Sequence, residues 1–152
     1  WCPQRRPEGH NVDLKYHSGI DGFKAANVRN GIDRPATSPN AWVADWNDPQ
    51  PSLTLTWPQP QQISAIDLFM DTDYDHPMES VLMSHPESVM PFCVRNYRIK
   101  DGAGNVLAEK RDNYQTHNRI QFSAPVTTAV LVIELEHPSV DVPAALFAVR
   151  CY

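Results

Sequence analysis

Asn113, Tyr114, His117 and Arg119 fall within seven positions. An amide, a phenol, an imidazole and a guanidinium supply complementary donors and acceptors for the vicinal hydroxyls of a saccharide. The fork of Arg119 can also take a carboxylate. The competing reading is an arginine–glutamate pair across a sheet beside a surface histidine. A second set is Asp71, Asp73, Asp75 and His76. Its alternation matches the start of an EF-hand loop, but that loop needs Gly at its sixth position and Glu at its twelfth. His76 and Leu82 stand there instead. Asp71, Asp73 and His76 are therefore candidates for contact with sugar hydroxyls at a loop mouth, against the alternative of a merely solubilising acidic loop. Arg95 either braces that loop or enters the site.

The tryptophans separate by context. Trp46 lies between Asp45 and Asn47, just ahead of Pro49 and Pro51, where burial is hard to arrange. An exposed indole in a polar loop is a stacking platform for the apolar face of a pyranose ring. Trp57 sits on an alternating strand and reads as core. Trp42 reads as packing beneath the preceding loop, and Trp1 as terminal packing.

Catalytic equipment is missing. The chain has no Gly-x-Ser-x-Gly elbow, no phosphate-cradling glycine loop and no His-Glu-x-x-His helix, and its six histidines are scattered. Its 18 acidic residues always allow a carboxylate pair to be drawn, yet nothing singles one out. The net charge of −5, without a basic stripe, argues against nucleic acid and anionic membrane as partners. No apolar run approaches the roughly 20 residues of a membrane-spanning helix. No signal peptide is evident and the first residue is Trp1, so the chain reads as a mature or excised piece of a longer protein. The expectation is a non-catalytic binding domain.

The elements that must position these side chains are short strands. At 152 residues, positions 1–152 make one domain with a sizeable core. Fourteen prolines spread along the chain favour short segments joined by fixed turns. Residues 1–25 are expected to wrap the domain and add one short strand. Leu53, Leu55 and Trp57 alternate with Ser52, Thr54 and Thr56, which predicts a strand ended by Pro58 and Pro60. Ile63–Met70 is the next, with Ile66, Leu68 and Met70 on one face and Ala65, Asp67 and Phe69 on the other. A long polar segment follows from Asp71 to Met90. Val94–Lys100 and Val106–Lys110 form a hairpin around Asp101-Gly102-Ala103-Gly104-Asn105. Asn113–Arg119 is a polar connection, followed by strands over Ile120–Phe122 and Ala129–Glu136. Leu131, Ile133 and Leu135 face inward there, and Glu134 and Glu136 reach solvent. Pro138–Pro143 is a rim loop, and Ala145–Cys151 closes the fold with Phe147 and Val149 inward. About eight such strands make an all-β, antiparallel two-sheet sandwich of jelly-roll type.

Cys2 and Cys151 each stand second from an end of the chain, with Cys93 between them. Either a Cys2–Cys151 bridge staples neighbouring terminal strands, or all three are buried thiols in a reducing compartment. Such a bridge closes a very long loop, worth ~4–5 kcal/mol in the chain-entropy model. Cys93, beside Pro91, Phe92 and Val94, reads as a small buried apolar residue.

The run NVRNGIDRP…NAWVADW, the following SLTLTWPQPQQISAIDLFMDTD, and then VRNYRI, DNYQTHNRIQF, AVLVIELEH and AALFAVRCY together resemble the discoidin or coagulation-factor type C domains of the galactose-binding-like superfamily. The likeness spans residues 20–152 and extends to accessory modules of bacterial carbohydrate-active enzymes and of some flavin-dependent proteins. It implies an eight-stranded jelly roll that binds glycan at one end and sits at the cell surface, in the periplasm or outside the cell. It also implies a frequent disulfide between the termini, here Cys2–Cys151, and often a structural calcium, for which Asp33 and the backbone carbonyls of Asn27 and Asn30 are the oxygen donors at hand. Two departures weigh against the metal: Ala148 stands where an acidic residue is usual, and Asn30-Gly31 replaces Asp-Gly. The resulting expectation is a carbohydrate-binding module, with a parent catalytic domain as its neighbour. The alternative is a structural or protein-docking accessory domain, using an apolar patch over residues 78–92.

Overall fold

The computed structural model describes residues 22–34, 36, 39–72 and 92–152. Among them a 3-10 helix, Ala25–Arg29, buries Val28 and precedes six strands. These are β1 (Trp42–Val43), β2 (Ser52–Met70), β3 (Tyr97–Asp101), β4 (Val106–Lys110), β5 (His117–Leu135) and β6 (Ala145–Cys151). Their hydrogen-bonded order is β1-β6-β2-β5-β3-β4, and every pairing is antiparallel.

The backbone of the fold is the ribbon formed by β2 and β5, each 19 residues long. Its register runs from Ser52 opposite Glu134 to Phe69 opposite His117, with breaks between Thr56 and Gln61 and between Ile63 and Ala65. Extra residues on one strand bend an antiparallel pair and raise its twist. The half of the ribbon before the breaks joins β3 and β4, and the half after them joins β6 and β1. Leu53, Ile99, Leu131 and Ile133 from the first half share one buried cluster with Ile66, Leu68, Met70, Leu146 and Val149 from the second. Two sheet halves closing over one core make the antiparallel sandwich that the alternation predicts.

Three expectations are corrected. Pro58 and Pro60 do not end a strand; they lie inside β2, in the stretch that the register shift frees from the ladder. A proline has no N–H to donate, so a bulge is where a strand tolerates one. Pro125 occupies the second irregular stretch, residues 122–125 of β5 opposite Ser64, and the two strands expected over 120–136 run through it as one. In β6 a further shift opposite Phe69 and Met70 changes the parity. Leu146 therefore joins Val149 in the central cluster, and Phe147 is buried outside it.

Several hydrogen bonds gather the ribbon's two ends at one pole. Leu135 donates its N–H to Pro51 O, Glu136 to Asn96 O, Asn113 to Arg95 O, Met70 to Thr116 O and Ala44 to Ala144 O. The opposite pole carries the ribbon's bend, the 101–105 turn and Tyr152, whose carbonyl accepts from Ser64 and Ala65. Positive φ at Gly104 and two bonds to Asp101 Oδ1, from Ala103 and Asn105, form that turn as its sequence predicts. The loops able to form a rim thus lie together at the first pole.

Candidate functional site

Two turns face each other at that pole. In the first, Asp45 Oδ1 accepts the N–H of Asn47 at 2.9 Å and Asp45 O accepts that of Asp48 at 3.1 Å. A short polar side chain that bonds two residues ahead holds a turn without help from the core. The turn leaves Trp46 at its tip with 52% of its surface exposed. In the second, Ser139 Oγ accepts the N–H of Asp141 at 3.1 Å, and Val140 stands out at 86% exposure. Pro49 follows the first turn, while Pro138 and Pro143 flank the second. Fixed φ at each limits how far the turns can drift.

His137 ties the two turns together. Its Nδ1 accepts the N–H of Ala144 at 2.9 Å, so that nitrogen carries no proton. Its Nε2 then donates to Asp48 O at 2.8 Å. Between the turns lies an open cleft of about 600 Å³, lined by Trp46, Asn47, Asp48, His137, Ser139 and Val140 among others. One Asp48 oxygen holds the N–H of Gln50. The cleft therefore offers an indole face, an apolar side wall and a few polar groups, the combination that orients a small polar ring.

The other residues singled out from sequence divide sharply. Asn113 is not at the surface: it is 3% exposed, and its amide donates to Val94 O, Gln115 O and Cys93 Sγ while accepting from Gln115 N–H. It holds the floor of the pole rather than contacting a ligand. Tyr114 beside it is exposed. Arg95 is committed to Asp112 at 2.7 Å. Asp71 is half-buried just past the end of β2, and Asp73 and His76 lie outside the described residues. Burial pushes the Cys93 thiol up to about 11, with the Asp71 carboxylate adding to the effect, so Cys93 is no nucleophile.

His117 and Arg119 are not in a loop. They open β5 and stand on the outer face of the sheet, on either side of the buried Asp67. His117 Nε2 is 3.2 Å from Asp67 Oδ1, and Arg119 Nη1 is 3.1 Å from Oδ2. The imidazole stacks on Phe69 with centroids 4.6 Å apart, and Arg150 lies 4.7 Å from the same ring. Arg119 lies over Tyr152 at 5.0 Å. A second charged cleft, of about 470 Å³, runs over β3, β4 and the adjoining half of β5. It is paired internally as well, through Lys100–Glu134, Arg111–Glu109 and Asn96–Glu136.

The proposed calcium donors are also committed. Of the two backbone carbonyls, Asn27 O accepts the Asn30 N–H at 3.0 Å; the Asn27 side-chain nitrogen donates to Gly22 O and Ala41 O, and Asn30 Oδ1 accepts from Ile32 N–H. Asp33 Oδ2 is 2.6 Å from Arg150 Nη2, which puts a guanidinium where a cation would be wanted. Among the described residues Cys151 is a free thiol, raised to about 11 by burial; Cys2, the other half of the expected bridge, lies outside them. Trp42 is buried in the core and Trp57 packs partly against it. Of the apolar patch expected over 78–92, only Phe92 is described, and it is exposed.

His137, Asn47, Asp48, Ser139 and Val140 were not singled out from sequence. The available signal was turn chemistry: Asp-x-Asn-Asp at 45–48, and Ser139 between two prolines in a loop already recognised as part of a rim.

No protein-family model and no curated protein matches the sequence. Solved structures do. The family 32 carbohydrate-binding module from Streptococcus pneumoniae EndoD aligns with a TM-score of 0.62 and 15% identity, over 93% of this chain and 92% of that one. The family 32 module from C. perfringens NanJ, in complex with galactose, aligns at 0.60 and 16%, over 89% and 88%. The lectin domain of lectinolysin, complexed with Lewis B antigen, aligns at 0.59 and 11%, over 90% and 88%. The chain thus has the fold of the discoidin-like, galactose-binding-like sandwiches.

Proposed function

We propose that this chain is a non-catalytic carbohydrate-binding module that seats a saccharide ring on Trp46, between the 45–48 and 139–142 turns. The observation carrying this reading is an indole half exposed at the tip of a turn fixed by its own hydrogen bonds, facing a polar-edged cleft. A preorganised aromatic loses little entropy on binding, and its polar neighbours fix the ring's orientation. The similarity to sugar-complexed modules supports the same reading. The module's place is beside a larger bacterial protein, at the cell surface, in the periplasm or outside the cell. Titration of the chain with a panel of mono- and oligosaccharides, followed by tryptophan fluorescence and two-dimensional NMR, tests it. Shifts at Trp46 and at residues 137–143 are expected. The absence of any saccharide response at millimolar concentration gives the protein-docking reading precedence.

A further inference from the structure

We infer that His137 is a positioning residue whose proton state governs the Trp46 cleft: a neutral ring braces the two turns and a saccharide is held, and a ring protonated in mild acid lets the brace open and the saccharide leave. This rests on the glycan reading above. Among the described residues His137 is the only side chain that bonds across the two turns, through Nδ1 to the Ala144 N–H at 2.9 Å and through Nε2 to Asp48 O at 2.8 Å. One form of the ring makes both bonds. Nδ1 must be bare to accept, so the single proton sits on Nε2 and is donated. An imidazolium carries a proton on each nitrogen. Its Nδ1–H then meets the Ala144 N–H, donor against donor. Ala144 is fully buried, so an N–H stripped of its acceptor there is costly. A protonated ring therefore has to leave that position.

The charges around the ring favour that departure. Asp48 is the other titratable side chain lining the cleft, and no lysine or arginine lines it. Asp45 stands on the first turn and Asp141 on the second, where it is the one charged residue of 138–149. Glu136, the residue before the ring, is bonded to Asn96. An imidazolium that swings away from Ala144 thus moves among carboxylates and meets no competing cation. The remaining ties between the two segments are backbone bonds: Ala44 donates to Ala144 O, and Trp42 and Val43 pair with Leu146 and Ala145. None of these titrates, so acid frees the turns while the strands stay paired. What the cleft loses is the fixed placing of Asp48 and the Trp46 turn against the 139–142 turn, which is preorganisation. One hydrogen bond of this kind corresponds to about a five- to ten-fold change in affinity.

The test measures the affinity for galactose and N-acetylglucosamine, as monomers and short oligomers, at about pH 7.5 and about pH 5. Neither sugar titrates there, ordinary imidazoles change charge across that range, and ordinary carboxylates stay mostly ionised. The affinity is expected to fall about five- to ten-fold in acid. In the same samples NMR should show the Ala144 amide and the Trp46 indole signals moving together with protonation of the His137 ring. His137→Asn places an oxygen where Nδ1 stood, takes no proton and does not reach Asp48 O. It is expected to bind more weakly than the parent at neutral pH and to lose nothing further in acid. The profile of the unmutated chain decides the point even if that variant fails to fold. An affinity that stays level with pH overturns the inference and leaves the glycan reading standing. A fall in acid that persists in His137→Asn overturns it too, since another group is then responsible. No binding of any of these sugars at either pH counts against the glycan reading, and takes this inference with it.

Discussion

The Trp46 rim and the outer face around Asp67 are made of the same kinds of side chain. Each has an aromatic ring, a histidine and a carboxylate within a few ångströms of backbone that is firmly held. On the outer face every group is spent on another: Phe69 is stacked by His117 and approached by Arg150, and Asp67 is shared by His117 and Arg119. At the rim the histidine is likewise spent, on Asp48 O and Ala144 N–H, but the indole is half exposed beside an open cleft. Residue types propose a site; unspent valences and uncovered ring faces decide it. The outer-face cluster holds strands together, whereas the rim cluster holds a surface ready.

The sharpest way to break this comparison is Trp46→Ala. It should weaken saccharide binding by about 1–3 kcal/mol, up to roughly a hundredfold, with the thermal midpoint almost unchanged. Unfolding of the variant would make Trp46 a packing residue and move the site elsewhere. Asp67→Ala should do the reverse. It strips His117 and Arg119 of their shared partner and is expected to cost about 1–2 kcal/mol of stability, discounted because both cations are half exposed. Its saccharide affinity, measured by calorimetry, should stay within about two-fold of the parent; a larger loss would put His117 and Arg119 back in the site.

Buried titratable side chains offer a third comparison, through pH. Burial raises the Cys93 and Cys151 thiols from 9.0 to about 11, and it also raises the Tyr97 phenol. These groups stay neutral longer in the folded state than in the unfolded one. The thiols' contribution is therefore complete below about pH 9 and is lost as pH rises through about 11, and that of Tyr97 is lost from about pH 10 upward. Denaturant midpoints should fall across that window, and Cys93→Ala should flatten the slope if the Asn113–Cys93 floor is what titrates. A midpoint that does not change between pH 8 and pH 11 would contradict the burial of these groups.

The smallest effect concerns the loop after the 3-10 helix. The Arg150–Asp33 pair already supplies a cation to that loop. Chelator should therefore leave the thermal midpoint unchanged, and added calcium should not raise it. Asp33→Ala should cost at most about 1 kcal/mol, the range of a partly exposed ion pair. A chelator-induced drop of several degrees would return the metal to Asn27, Asn30 and Asp33.

Much of the fold was legible in residue order. The alternation Leu53-Leu55-Trp57, the runs Ile66-Leu68-Met70 and Leu131-Ile133-Leu135, and the Asp101–Asn105 turn each carry a period or a turn chemistry that acts locally. They name strand, face and hairpin before any tertiary contact exists. The exposure of Trp46 was legible for the same reason, because a turn held by Asp45 and Asn47 needs no distant partner. Pro58, Pro60 and Pro125 misled because whether a proline ends a strand or sits in its bulge depends on the register of the partner strand. Tertiary structure alone decided that Asn113 turns inward to Cys93, that His117 and Arg119 close on Asp67, and that the 139–142 turn stands across from Trp46. Each of those depends on which distant side chain arrives within hydrogen-bonding reach, and residue spacing along one strand carries no record of that.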